Sequence, residues 1–163
     1  LPGADLMAEP VKPVATEQTD ESDELMDADR QAAQFERVRN AQQTEKAEDY
    51  VEMIDDLINA YGEARVTDLA QRFGVSHATV NKIVKRLQRD GLVTSRPYRS
   101  IFLTEQGSAL ADASRKRHQI VLNFLRAIGV SARNAELDAE GIEHYVSAET
   151  LAAFAKITSE KDG

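Results

Sequence analysis

Residues 64–93 read ARVTDLAQRFGVSHATVNKIVKRLQRDGLV, and the fold turns on this stretch. Val66, Leu69, Ala70 and Phe73 recur at helical spacing, with Thr67 as the expected cap and Gly74 as the stop. Ser76 then caps a second helix whose inner face is Val80, Ile83, Val84 and Leu87, ended by Gly91. Two helices joined by a short glycine-bearing turn make a helix-turn-helix. The outer face of its second helix carries His77, Ala78, Thr79, Asn81, Lys82, Lys85 and Arg86. Residues 92–95 and 100–103 then read as strands around the turn Arg96-Pro97-Tyr98-Arg99, which completes a winged helix.

Winged helices bind proteins as well as DNA, so charge has to choose between them. The chain carries a net charge of −8, which argues against a polyanion partner until it is mapped. Residues 1–30 hold nine acids against Lys12 and Arg30, a net of −7, whereas 65–99 hold eight bases against Asp68 and Asp90, a net of +6. A polyanion meets the local field and not the total, so DNA is the expected partner. Lys82, Lys85, Arg86, Arg96 and Arg99 are phosphate-contacting types. Ser76, His77, Thr79 and Asn81 stand where base edges or neighbouring phosphates would lie.

Working outward, residues 1–44 form an acidic extension for which disorder is expected, with three of the four prolines in 1–28; residues 29–44 read either as a marginal, partner-dependent helix or as a lead straight into the next element. Tyr50, Val51, Ile54, Leu57, Ile58 and Tyr61 mark an amphipathic helix that ends at Gly62. After the wing, Thr104 caps a long helix closed by Gly129, Ser131 caps another, and Ser147 starts the last. The fold class is mainly α: a winged-helix DNA-binding domain at 45–104, then an all-helical domain at 105–163. At 163 residues with 42% apolar content, the chain can bury such cores. It has no cysteine, which excludes disulfides and thiolate metal sites. No apolar run approaches the ~18–20 residues of a membrane span, and no signal-peptide pattern is present.

Chemistry concentrates in Glu140-Gly141-Ile142-Glu143-His144. On a helix, residues 140, 143 and 144 share one face, so two carboxylates and an imidazole crowd together. Such a cluster needs a proton or a cation, unless it is simply a solvated charged face. Asp49 and Glu52 sit at i and i+3 near the start of the amphipathic helix. His118 shares a face with Val121, Leu122 and Leu125, where a core histidine is the simpler reading.

In this order and spacing, Glu48–Glu52, the winged helix, Arg117–Ile120 and Asp138–His144 resemble the diphtheria-toxin-repressor family of metal-dependent regulators, and within it the manganese branch. The resemblance covers about residues 45–157. It implies metal ligands at Asp49, Glu52, His118, Glu140, Glu143 and His144, a pair of Mn²⁺ ions per subunit with bridging carboxylates, and a homodimer on operator DNA. Iron-responsive relatives carry methionine where Asp49 stands and cysteine where Glu140 stands. They also commonly add a small barrel domain, for which the 163 residues leave no room. Tyr145 departs from relatives that have a second histidine there.

Four carboxylates and two imidazoles are a hard, oxygen-rich set suited to an octahedral cation such as Mn²⁺ or Mg²⁺, and the histidines tilt it toward a transition metal. Fe²⁺, Co²⁺, Zn²⁺ or Cd²⁺ can enter such sites in vitro. The expected protein is a cytoplasmic bacterial regulator that represses manganese-uptake genes when metal is plentiful, and that can also activate export genes. It takes no small organic substrate and does not engage a membrane. Three alternatives stay open: an iron-responsive member of the same family, a binuclear metal enzyme, and a regulator that senses an organic ligand.

Overall fold

The computed structural model describes residues 25–161, so the prolines and most of the acidic residues of the extension lie outside the described part. Element order is α1 (Ala28–Tyr61), α2 (Val66–Phe73), α3 (His77–Arg89), β1 (Val93–Thr94), β2 (Phe102–Leu103), α4 (Glu105–Ala127), α5 (Ala132–Ile142) and α6 (Ala148–Lys161). Among these residues no helix is long and apolar enough to cross a membrane.

The extension assigned to 1–44 differs from its expectation in one respect. Residues 28–44 are continuous with the amphipathic helix: they form the first half of α1, a helix of 34 residues capped by Asp27 through Arg30 N. The stretch has few apolar anchors but good helix formers, and joining a packed helix removes the cost of nucleating its own first turn. Gly62 ends α1 at φ 82° and donates to Ile58 O at 2.8 Å.

Two apolar cores result. Tyr50, Ile54 and Leu57 of α1 pack with Leu69, Val80, Leu87, Val93 and Ile101 in the winged helix. Tyr50 stacks on Phe73 with ring centroids 4.3 Å apart. The second core joins Val121, Leu122 and Leu125 of α4 to Ala135 and Ala139 of α5, with α6 closing over it through a Phe124–Phe154 stack at 3.9 Å. Between the two cores, Arg115 of α4 reaches Asp55 at 2.6 Å and Asp56 at 2.7 Å on α1.

Most helix boundaries fall where the sequence puts them. Ser76, Thr104, Ser131 and Ser147 each accept from a backbone N–H three residues on, at 3.1, 3.1, 3.4 and 3.2 Å. Thr67 does not cap α2: it lies inside the helix, and Arg65 stands at the cap without a side-chain bond. The strands are shorter than 92–95 and 100–103, because only Val93↔Leu103 and Thr94↔Phe102 pair in the wing. Ile101 turns instead to Ala64, donating to its carbonyl at 2.8 Å.

The wing meets α4 at a tight point. A Cβ added at Gly107 would lie 2.0 Å from Leu92 O, a backbone atom fixed by its bond from Thr104 N at 3.0 Å. Gly107→Ala is therefore expected to lower unfolding free energy by at least about 1–3 kcal/mol, the usual cost of overpacking. Urea denaturation of the metal-free protein checks this, and a wild-type midpoint would refute the close packing.

Candidate metal centre and nucleic-acid face

The pentad does not stay helical to its end. α5 stops at Ile142, Glu143 is its C-cap, and His144 lies in the turn beyond. This break re-aims the last two side chains toward α1 and α4. A Cβ at Gly141 would meet nothing within 4 Å, so no neighbouring helix presses on α5 at that point.

Glu143 is buried, and its two oxygens face different partners. Oε1 lies 3.3 Å from His144 Nε2, which is itself 3.7 Å from Asp49 Oδ1. Oε2 lies 3.1 Å from His118 Nδ1, which is 3.4 Å from Glu140 Oε1. His118, Glu140 and Glu143 offer ligand atoms all within 4.8 Å of one another. Glu52, half-buried on α1, adds negative charge felt by both Asp49 and Glu143. Five of the six expected ligands, Asp49, His118, Glu140, Glu143 and His144, thus meet in two lobes that share Glu143, with Glu52 near enough for its charge to be felt. His118 is a member of this locus and not a core histidine.

The electrostatics match a site built for a cation. Burial pushes Asp49 up to about 6, against His144 and with help from Glu45, Glu52 and Glu140. Burial likewise pushes Glu143 up to about 7, with Glu140 and Glu52 adding to it. Glu143 Oε2 is buried and makes no hydrogen bond. An orphaned carboxylate oxygen is costly unless something positive meets it, which is what a hard divalent cation would do.

Sequence reasoning assigned no role to Glu48, Arg117 or Glu136. Glu48 is buried, accepts from His144 Nδ1 at 2.7 Å and pairs with Arg117. Burial would raise the Glu48 pKa, but the bonds from His144 and Arg117 hold it below the ordinary carboxylate value. Burial would lower the His144 pKa, but its bond to Glu48 and the charges of Glu143 and Asp49 hold it above the usual imidazole value. One signal was available: Glu48 stands one turn before Val51, on a face otherwise buried. Tyr145, the departure from relatives, donates its hydroxyl to Glu45 on α1 at 2.8 Å.

In the winged helix, Ala78, Asn81, Lys82, Lys85, Arg86 and Arg89 line a shallow cleft along α3. His77, Thr79, Asn81, Lys82 and Lys85 are exposed. Ser76 Oγ is committed to the cap and to Thr79 Oγ1 at 2.9 Å, and Arg86 donates to Gln43 of α1 at 3.0 Å. Arg96 and Arg99 are exposed on the wing on either side of Tyr98, whose φ of 59° is rare for a non-glycine residue.

Comparison with known proteins agrees with this geometry. Residues 42–101 match the family described as iron dependent repressor, N-terminal DNA binding domain. Residues 104–160 match iron dependent repressor, metal binding and dimerisation domain. The transcriptional regulator MntR of Escherichia coli O6:H1 is 50% identical over 140 residues, 86% of this chain and 90% of that protein. The HTH-type transcriptional regulator MntR of Geobacillus kaustophilus is 40% identical over 104 residues, 64% of this chain and 74% of that protein. Among solved structures, a manganese-dependent transcriptional repressor in complex with manganese superposes with TM-score 0.61 at 28% identity. That match covers 69% of this chain and 52% of the solved one, so this chain spans about half the length of that relative.

The shifted groups set a pH dependence. Glu143 and Asp49 ionise later in the folded chain than in the unfolded one, so the metal-free protein loses stability as pH rises through 6 to 7. His144, raised, acts in the same direction, because its protonated form is the stabilised one. Glu48, lowered, contributes only on acidification below the ordinary carboxylate range. Since cation binding requires ionised carboxylates and neutral imidazoles, the rise in melting temperature on adding Mn²⁺ should grow steadily from pH 5.5 to pH 8. Thermal scans at fixed metal check this, and a pH-independent rise would contradict the site.

Proposed function

The chain belongs to the iron dependent repressor family, and from that premise we propose that the two-lobed cluster is the manganese-sensing centre of a metal-activated repressor. The chain is a manganese-responsive DNA-binding transcriptional regulator. In the proposed centre Asp49, Glu52, His118, Glu140, Glu143 and His144 are the ligands. The shared, orphaned Glu143 carboxylate is the observation that carries a paired site of two Mn²⁺ per subunit. Asp49 and Glu140 are carboxylates, which favours manganese over the iron-responsive alternative. Mn²⁺ is the weakest binder of its series, so coordination number and geometry must select it.

When bound, the cations supply the positive charge that this acid cluster lacks. The rest of the mechanism belongs to the chain. Asp49 and Glu52 ride on α1, which packs into the winged helix, whereas the other four ligands come from α4 and the end of α5. Ionised, these groups repel across the junction and broaden the orientation of the winged helix. Held together, they narrow it. A dimer reading a two-fold operator must place two recognition helices about 34–36 Å apart. Pre-ordering removes part of the entropic cost of that fit, and a coupling of about 1–3 kcal/mol changes DNA affinity roughly 5–150-fold.

Ser76, His77, Thr79, Asn81, Lys82, Lys85, Arg86, Arg96 and Arg99 form the proposed DNA contacts. The homodimer contact falls on α4–α6, where Ile128, Leu137 and Ile157 are exposed at 51%, 65% and 39%. Operators of manganese-uptake genes are the proposed targets, with occupancy rising as the metal does.

Glu140→Ala and His144→Ala are each expected to abolish Mn²⁺-stimulated operator binding in a fluorescence-anisotropy titration, while sedimentation still reports a dimer. A wild-type metal response in both variants would sink the ligand assignment. Asp49→Met should move the ranking of Mn²⁺ against Fe²⁺, Co²⁺ and Zn²⁺ in the same titration. An unchanged ranking would mean that this position does not select manganese.

A further inference from the structure

His118 and His144 each turn one ring nitrogen to the ligand cluster and the other to a carboxylate outside it. His144 faces Glu143 and Asp49 with Nε2, at 3.3 and 3.7 Å, and Glu48 Oε2 with Nδ1, at 2.7 Å. His118 faces Glu143 and Glu140 with Nδ1, at 3.1 and 3.4 Å, and Glu136 Oε2 with Nε2, at 3.4 Å. Each outer carboxylate is in turn held by an arginine of α4: Glu48 by Arg117, and Glu136 by Arg126 at 3.0 Å. Two Arg–Glu–His relays therefore flank the centre, and they use opposite ring nitrogens.

A neutral imidazole has a single N–H, and only the other nitrogen keeps the lone pair a metal needs. An ionised carboxylate can only accept, so it draws that N–H to the nitrogen facing it. We propose that Glu48 and Glu136 are positioning residues of the metal centre. Glu48 locks His144 with its proton on Nδ1 and Nε2 free to ligate, and Glu136 locks His118 with its proton on Nε2 and Nδ1 free. The inference rests on the reading of the two histidines as ligands and adds two residues outside the ligand set.

The relays are unequal. The Glu48 side chain is 2% exposed and its bond is short, whereas Glu136 is 52% exposed and its contact is longer. Glu48 also lies on α1 while Arg117 lies on α4, so this relay sets the helix that carries Asp49 and Glu52 before any cation arrives. Arg117 Nε already lacks a partner, so losing the Glu48 charge would leave the guanidinium still less well paired.

Long-range ¹H–¹⁵N spectra of the metal-free full chain, taken at a pH where both imidazoles are neutral, read the tautomers directly. Wild type should show His144 protonated on Nδ1 and His118 on Nε2. Glu48→Gln supplies an amide that donates as well as accepts, so the His144 tautomers should mix and Mn²⁺ affinity should fall about 10–100-fold. Glu136→Gln, at a half-exposed position that does not endanger folding, should mix only the His118 tautomers and cost less than about tenfold. His144 protonated on Nε2 in wild type, or unchanged tautomers and Mn²⁺ affinity in both variants, overturns the proposal. Failure of wild type itself to bind Mn²⁺ would instead overturn the ligand assignment, and the metal-free spectra decide the tautomers either way.

Discussion

A carboxylate with one oxygen buried and no hydrogen bond to satisfy it is a burden that a folded protein seldom carries, and in this molecule it falls on Glu143. Its position at the C-cap of α5, where the helix gives out, turns it inward between His118 and His144. Burial and neighbouring acids push it up to about 7, so near neutrality it sits between a protonated state and a charged one that needs a cation. The other proposed ligands are arranged around that requirement. In the proposed mechanism the link between metal and DNA binding depends on two of them, Asp49 and Glu52, being carried by the helix that packs into the winged helix.

That helix is α1, which begins at Ala28, well before the ligands, and ends against the winged helix at Tyr61. One face supplies Tyr50, Ile54 and Leu57 to the DNA-binding core. Another carries Asp55 and Asp56 to Arg115, and Glu48 to Arg117 and His144. Its earlier part reaches the recognition helix, where Gln43 accepts from Arg86. A change in where α1 sits relative to α4 thus bears on the orientation of α3, with no flexible linker in between to absorb it.

The two relays extend this placement to the histidines. Both rings are gripped on their outer nitrogen, so metal binding need not wait for a ring to rotate or a proton to move. Pre-organisation of this kind lowers the cost of binding and does not add contacts to it. It also couples Glu48, on α1, to a ligand that lies just beyond α5.

Much of this was legible in the chain itself. The periodic apolar residues, Gly62, Gly74 and Gly91, and the caps at Ser76, Thr104, Ser131 and Ser147 are local signals, and local backbone chemistry carries them into the structure nearly unchanged. The six proposed ligands were named through their spacing and resemblance, and the charge of the winged helix was legible through its map. Tertiary structure alone decided the rest. The choice left open over 29–44, between a marginal helix and a lead into the next element, fell to the second: the stretch is the front of α1 because it continues a packed helix. Glu48, Arg117 and Glu136 acquired roles only when α1, α4 and α5 met, since their partners are 96, 69 and 18 residues away in sequence. Sequence determines what each segment prefers to be. Which nitrogen of His144 faces the cluster, and which faces Glu48, is set only by three helices packing together.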